Sequence, residues 1–216
     1  MRYERKYETN YHILNELKIF LKSNSFEEHF PSRIVSSIYF DTNNFKNYLD
    51  AESGNSDRAK IRARFYDFNV HNISIEIKRK KSELGYKDYF NIKEIDKVSN
   101  MQPIFLKKSD AIFKLPKTIF SIYRPNIYVE YNRHYFISSD GALRITFDNS
   151  INFSRITNIS NNFKIKKRFP YNSSVIELKY DANYLPSNKF LSNLFDRFNL
   201  TFSKFSKYCI AINSIY

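Results

Sequence analysis

Several stretches of this chain alternate charged and apolar residues with a period of two. That alternation restricts them to β-strands with one apolar and one polar face. In 58–66, Arg58, Lys60, Arg62 and Arg64 fall on one face, with Ala59, Ile61, Ala63 and Phe65 on the other. Ile73, Ile75 and Ile77 oppose Ser74, Glu76 and Lys78. Leu143, Ile145 and Phe147 oppose Arg144, Thr146 and Asp148, and Glu177 shares a face with Lys179. Further strands are predicted near 2–8, 34–41, 86–93, 127–137 and 151–156, with Gly85 and Gly141 where turns are needed. Helical spacing is confined to 11–22, with Asn10 as its expected cap, to 187–198, and to a short closing helix near 205–213. Segments 43–50 and 99–115 fit neither period clearly. These patterns predict an α+β fold: a mainly antiparallel β-barrel of about eight strands, closed or nearly closed, with peripheral helices. No linker or internal repeat divides the sequence, so residues 1–216 are expected to form a single domain.

Composition narrows the function. The 35 Lys and Arg outweigh 22 Asp and Glu, a net charge of +13, which implies an anionic partner. With only 3 Gly, the chain has no dinucleotide fingerprint and no Gly-rich phosphate loop. Any phosphate would therefore be held by side-chain cations. The one cysteine, Cys209, excludes an internal disulfide and points to a reducing, cytoplasmic setting. The polar start MRYERKYETN is not a secretory signal, and no run of apolar residues is long enough for a transmembrane segment.

Each charged row, taken singly, reads as a solvated strand face. Together they repeat: Glu4 with Lys6, Glu76 with Lys78, and Glu177 with Lys179 place the same Glu-x-Lys pair on three strands far apart in sequence. A barrel gives such repetition a reason, because every strand presents alternate residues to one lumen. Like charges about 4 Å apart repel by roughly 4 kcal/mol at an effective dielectric of 20, so a cationic lumen calls for anions. Phosphates suit Arg and Lys, and the interleaved carboxylates suit a hard divalent ion that bridges phosphate oxygens.

The stretches YERKY (3–7), SIYFDT (37–42), KIRARFY (60–66), IEIKRK (75–80), YNRHYF (131–136), ALRITFDN (142–149), VIELKY (175–180) and KFSKY (204–208) carry a resemblance. In this order they resemble the triphosphate tunnel metalloenzymes, the CYTH-like superfamily, and within it the VTC domain, the polyphosphate polymerase domain of the vacuolar transporter chaperone family. The resemblance implies catalytic, tunnel-lining cations at Lys6, Arg62, Arg64, Lys78, Arg133, Arg144 and Lys207. It implies substrate contacts from Lys87, Lys179 and Ser206. It implies a metal-binding glutamate at Glu177, with Glu4 and Glu76 at further acidic positions. The first strand departs from the CYTH triphosphatases, which carry Glu-x-Glu-x-Lys, because Arg2 stands at the first Glu position. That departure favours the polymerase branch. The family's eukaryotic members also carry a phosphate-sensing domain and membrane helices. This chain carries neither, so it is expected to be a stand-alone or excised catalytic domain, with a membrane-associated partner protein also implied.

The resemblance therefore implies a phosphotransferase that uses Mn²⁺ or Mg²⁺ and passes the γ-phosphate of ATP to inorganic polyphosphate or pyrophosphate. Two alternatives stand beside it. One is a triphosphatase acting on tripolyphosphate or nucleoside triphosphates. The other is a non-catalytic polyanion or nucleic-acid binding module, made less fitting by the Glu residues on the cationic faces. The remaining residues read structurally. His12, His29, His71 and His134 lack ligand spacing, Cys209 lies in an apolar patch, and Asp41 and Asp148 end strands, where Asp148 is in position to pair with Arg144.

Overall fold

The computed structural model describes residues 2–10, 12–69, 72–81, 84–91, 101–106, 111–116, 122–159, 162–181, 183–184 and 186–216. Among these lie twelve strands and four helices. The strands are β1 (Arg2–Asn10), β2 (Phe26–Asp41), β3 (Arg58–Tyr66), β4 (Ser74–Lys81), β5 (Leu84–Asn91), β6 (Met101–Leu106), β7 (Ala111–Pro116), β8 (Arg124–Ser138), β9 (Leu143–Ile159), β10 (Asn162–Pro170), β11 (Ser173–Asp181) and β12 (Thr201–Phe202). The helices are α1 (Leu14–Ser23), α2 (Lys46–Glu52), α3 (Asn188–Phe198) and α4 (Lys207–Ile215). The strand order is β12-β1-β11-β9-β8-β2-β3-β4-β5, with β10, β6 and β7 branching from β9. The fold is α+β and mostly antiparallel, as the alternation predicts. No pairing among the described residues closes the order into a barrel. No helix among them is long and apolar enough to cross a membrane.

Two compact units share the chain, each assembled from separated segments. The first comprises Met1–Ile34, Tyr131–Ile151 and Pro170–Phe205; the second comprises Val35–Glu130, Asn152–Phe169 and Ser206–Tyr216. In the first unit, β1 runs antiparallel to β11 from Arg2 opposite Asp181 to Asn10 opposite Ser173, and β11 pairs in turn with β9. Ile176, Leu178, Leu143, Ile145 and Phe147 point to one face, where Leu17, Phe20 and Leu21 of α1 and Leu194 and Phe198 of α3 cover them. Helices thus shield the apolar face and leave the charged face to other uses. The second unit packs Ile38, Phe40, Ile61, Ala63, Phe65, Ile73 and Ile75 from β2, β3 and β4 into its own core.

Two local readings change. Helix α1 begins at Leu14 after Ile13, which gives no side-chain cap, because Asn10 is still paired as the last residue of β1. Strand pairing over the full length of β1 outweighs the capping preference of an Asn. Segment 43–50, which has no clear period, contains the start of α2, and the carboxylate that satisfies its N-terminal amides stands outside it. Asp41 is fully buried and accepts the N–H groups of Thr42, Asn47 and Tyr48 at 2.7, 2.9 and 3.0 Å. The same carboxylate receives the Tyr208 hydroxyl proton at 2.6 Å, so one strand-end acid fixes both α2 and α4.

Replacing Asp41 by Ala removes four hydrogen bonds to one buried anion and leaves the Tyr208 hydroxyl without its acceptor. The expected loss is about 2–4 kcal/mol of unfolding free energy, read as a lower urea midpoint with an unchanged slope. Asp41→Asn, which keeps one accepting oxygen, is expected to lose less.

Candidate functional site

The pleat gives each unit one charged face, and the two faces differ in composition. In the first unit, the β1–β11–β9 register sets Lys6 opposite Glu177 opposite Thr146, and Glu4 opposite Lys179 opposite Arg144. Acid and base alternate across β1 and β11 like a checkerboard. Glu177 is buried, with Lys179 Nζ at 2.6 Å and Arg133 Nη2 at 3.8 Å. Burial alone would raise its pKa, but Lys6, Arg133 and Lys179 more than offset this and hold the carboxyl well below the usual carboxylate range. Glu4 is bridged to Lys6 at 3.3 Å and to Lys179 at 4.0 Å. Lys6 also donates to the carbonyl of Phe205 at 3.3 Å.

Arg133 is fixed from three sides. Its Nε and Nη2 meet both oxygens of fully buried Asp148 at 2.6 and 2.7 Å, and its guanidinium lies over the Tyr131 ring at 5.3 Å. Burial would favour the neutral form, yet Asp148, Tyr131 and Glu177 hold the charge well above its ordinary stability. This corrects the expected pairing of Asp148 with Arg144. Arg144 sits on an exposed position, while Arg133 reaches Asp148 from β8. Arg144 instead stands directly opposite another cation, Lys179.

The charged face of the second unit is dominated by cations. Lys60, Arg62, Arg64 and Lys78 share it with a single acid of these strands, Glu76. Glu76 is 4 % exposed and holds both guanidinium groups: Arg62 donates from Nε and Nη2 to Oε2 at 2.8 and 2.5 Å, and Arg64 Nη1 lies 3.4 Å from Oε1. The next register row sets Lys60 opposite Lys78 opposite Lys87. The side chain of Lys87 lies outside the described residues. Lys60 Nζ donates to Ser206 Oγ at 2.7 Å. Ser206 is the N-cap of α4 and also accepts the N–H of Cys209 at 3.3 Å. Lys207, buried in the first turn of α4, adds a cation where the helix dipole is already positive. Tyr39 reports the resulting potential. It is 3 % exposed, stacks on Tyr208 at 5.3 Å, and accepts Arg62 Nη1 at 3.3 Å. Burial alone would raise its pKa, but Arg62, Lys60 and Arg64 bring the phenol down to about 8.

The structure therefore groups Lys6, Glu4, Arg133, Arg144, Glu177 and Lys179 in one unit, and Arg62, Arg64, Glu76, Lys78, Ser206 and Lys207 in the other. Glu76 has both oxygens occupied by guanidinium groups, which suits it to orienting arginines more than to holding a metal. Among the described residues no three His, Cys, Asp or Glu side chains gather into a preformed metal cluster. Glu177 and Glu4 are carboxylates of the kind that could hold a hard divalent ion, with Lys6, Lys179 and Arg133 as their present partners. Sequence reasoning passed over Ser37, Tyr39 and Lys60 as site residues. Ser37 and Tyr39 were legible from the parity of SIYFDT, where they share a face with Asp41, but they carry no charge.

The VTC domain family model matches residues 1–216. Among curated proteins, none matches the sequence. Solved structures do. The PH1819 protein from Pyrococcus horikoshii OT3 is similar at a TM-score of 0.54 and 13% identity, covering 98% of this chain and 99% of its own. A candidate adenylate cyclase from Vibrio parahaemolyticus gives 0.53 and 13%, over 98% and 97%. The candidate adenylyl cyclase HpAC1 from Hippeastrum, described as having a dominant triphosphatase activity, gives 0.52 and 13%, over 99% and 96%. At these identities the likeness shows a shared fold.

Asp148→Ala leaves the Arg133 guanidinium buried without its bidentate partner. A loss of roughly 3–5 kcal/mol of stability is expected by urea denaturation. Arg144→Ala, on an exposed position, is expected to stay within about 0.5 kcal/mol of the parent chain.

Proposed function

Because the chain belongs to the VTC domain family, whose model spans residues 1–216, we propose that it is a metal-dependent polyphosphate polymerase. The observation that carries this reading is the charged face of the second unit, where Lys60, Arg62, Arg64 and Lys78 meet one acid of their own two strands, and Arg62, Lys60 and Arg64 draw a buried phenol down to about 8. Such a face favours a polyanion with closely spaced charges. Arg62 and Arg64, held by Glu76, would receive phosphate oxygens in fixed orientations, and Lys60, Lys78, Lys87 and Lys207 would neutralise the chain. In the first unit Lys6, Arg133, Arg144 and Lys179 would serve the same end, while Glu177, with Glu4, would hold Mn²⁺ or Mg²⁺. When bound, the ion supplies charge neutralisation at phosphate oxygens. The reading also needs the charged rows to share one lumen, as a closed barrel would provide, within one catalytic domain.

The step is an in-line transfer. An oxygen of a terminal phosphate, on pyrophosphate or polyphosphate, attacks the γ-phosphorus of ATP. The bond from that phosphorus to the β–γ bridging oxygen breaks, and ADP leaves with the electron pair. The attacking oxygen is already anionic, so no strong general base is required. Phosphoryl transfer depends mainly on positioning and charge stabilisation, which fixed guanidinium groups provide without reorganising. A cytoplasmic setting and a membrane-associated partner complete the reading.

Hydrolysis is the second reading, favoured by the activity described for the Hippeastrum protein. Water then replaces the phosphate acceptor. Nucleic-acid binding fits less well, because without a metal ion between them Glu4 and Glu177 would repel a phosphate backbone.

Incubation with ATP and Mn²⁺ is expected to yield long polyphosphate on a gel, and release of orthophosphate alone would move the assignment to hydrolysis. Arg62→Ala is expected to lower kcat/KM by roughly 100-fold. Glu177→Gln is expected to lower kcat and raise the metal concentration needed for half-maximal activity. Loss of neither would sink the proposed site.

A further inference from the structure

The two hydroxyls that precede Asp41 on the polar face of β2 stand against the two arginines of β3. In the antiparallel register Ser37 lies opposite Arg64 and Tyr39 opposite Arg62. Both are out of water, Ser37 at 0 % and Tyr39 at 3 % exposure. The Tyr39 oxygen accepts from Arg62, and among the described residues nothing accepts its proton. Ser37 Oγ and Arg64 Nε are likewise buried without a hydrogen-bond partner. Buried donors without acceptors are unfavourable and uncommon, and here three occur on one face beside cations. Beside Arg62 and Arg64, an anion with several oxygens would supply acceptors to all three.

We propose that Ser37 and Tyr39 are polyphosphate-binding residues, whose hydroxyls donate to oxygens of a phosphate group seated on Arg62 and Arg64. The inference rests on the phosphate-handling reading above and extends it from charged to neutral donors. Two planar guanidinium groups supply charge but cannot by themselves surround a tetrahedral group. The hydroxyls add donors from the neighbouring strand, so the seat discriminates by shape as well as charge.

A consequence for pH follows. The groups that face Tyr39 are Lys60, Arg62 and Arg64 from β3, Glu76 from β4 through Arg62, and Tyr208 from α4 with Asp41 behind it. These cations already pull the phenol down to about 8. A bound polyanion adds negative charge beside the phenol and favours its protonated form. Loss of the phenolic proton therefore competes with binding, and affinity falls as pH rises through 8 and beyond.

The test uses the full chain and inorganic tripolyphosphate as the probe, by calorimetry in metal-free buffer from pH 6.5 to 9.5. Tyr39→Phe is expected to weaken binding about tenfold at pH 7 and to lose the extra fall above pH 8 that the parent chain shows. Ser37→Ala is expected to weaken binding severalfold and to keep that fall. Absorbance at 295 nm on the unaltered protein gives a measurement independent of variant folding. One phenol should ionise near pH 8 and be shifted upward by tripolyphosphate. If the parent chain binds tripolyphosphate while Tyr39→Phe binds equally well with the same pH profile, the contact is overturned and the phosphate-handling reading stands. A low-pH phenol that tripolyphosphate leaves unmoved also overturns it. If the parent chain does not bind tripolyphosphate at all, the functional reading falls first and the inference with it.

Discussion

Burying both faces of a β-strand, one apolar and one charged, is the constraint on which this structure depends. In most antiparallel sheets the polar face meets water and sets few demands. Here Arg64, Glu76, Asp148 and Glu177 are all buried, each at no more than 8 % exposure. A charge removed from water requires an oppositely charged, hydrogen-bonded neighbour. The register provides it: Arg62 stands opposite Glu76 and Lys6 opposite Glu177. A shift of one residue in either ladder would turn these side chains toward the apolar face and expose the isoleucines. The charge pattern and the apolar pattern therefore specify the same pairing, and each makes the other harder to break.

The two units use that constraint differently. In the first, acids and cations nearly balance, and Glu177 is held ionised by cations that would otherwise repel one another. In the second, cations outnumber acids on the face, and Arg62, Lys60 and Arg64 lower the pKa of buried Tyr39. A balanced cluster tolerates a metal ion, which needs carboxylates kept ionised beside it. An unbalanced one favours a polyanion. The division of labour proposed for phosphate handling is a division already present in the electrostatics of each unit.

Much of the fold was legible because alternation is a property of the strand alone. The pairs 58–66 with 74–81 and 143–148 with 175–180 carry their register in their parity. What escaped depends on distance in sequence. Asp148 binds Arg133 from another strand, 15 residues away, and not the Arg144 on its own face. Helix α2 takes its cap from Asp41, which a reading of 43–50 in isolation does not reach. The charged rows of the strands were legible, and the neutral hydroxyls beside them were not. Ser37 and Tyr39 look like ordinary strand residues until their register against Arg64 and Arg62 is known.

Glu76 shows what the single acid of β3 and β4 does for the proposed anion seat. Without it, Arg62 and Arg64 would repel each other and swing toward water, and their alignment would have to be recovered each time an anion bound. With both carboxylate oxygens engaged, the two guanidinium groups are held in place in advance. The cost is one negative charge near the anion. The gain is that ordering entropy is lost on folding and not on binding. Arg62 Nη1 donates to the Tyr39 oxygen and not to the acid, on the side where the hydroxyls stand. An acid that orients the two cations while Arg64 Nε stays buried without a hydrogen-bond partner fits the phosphate seat proposed here.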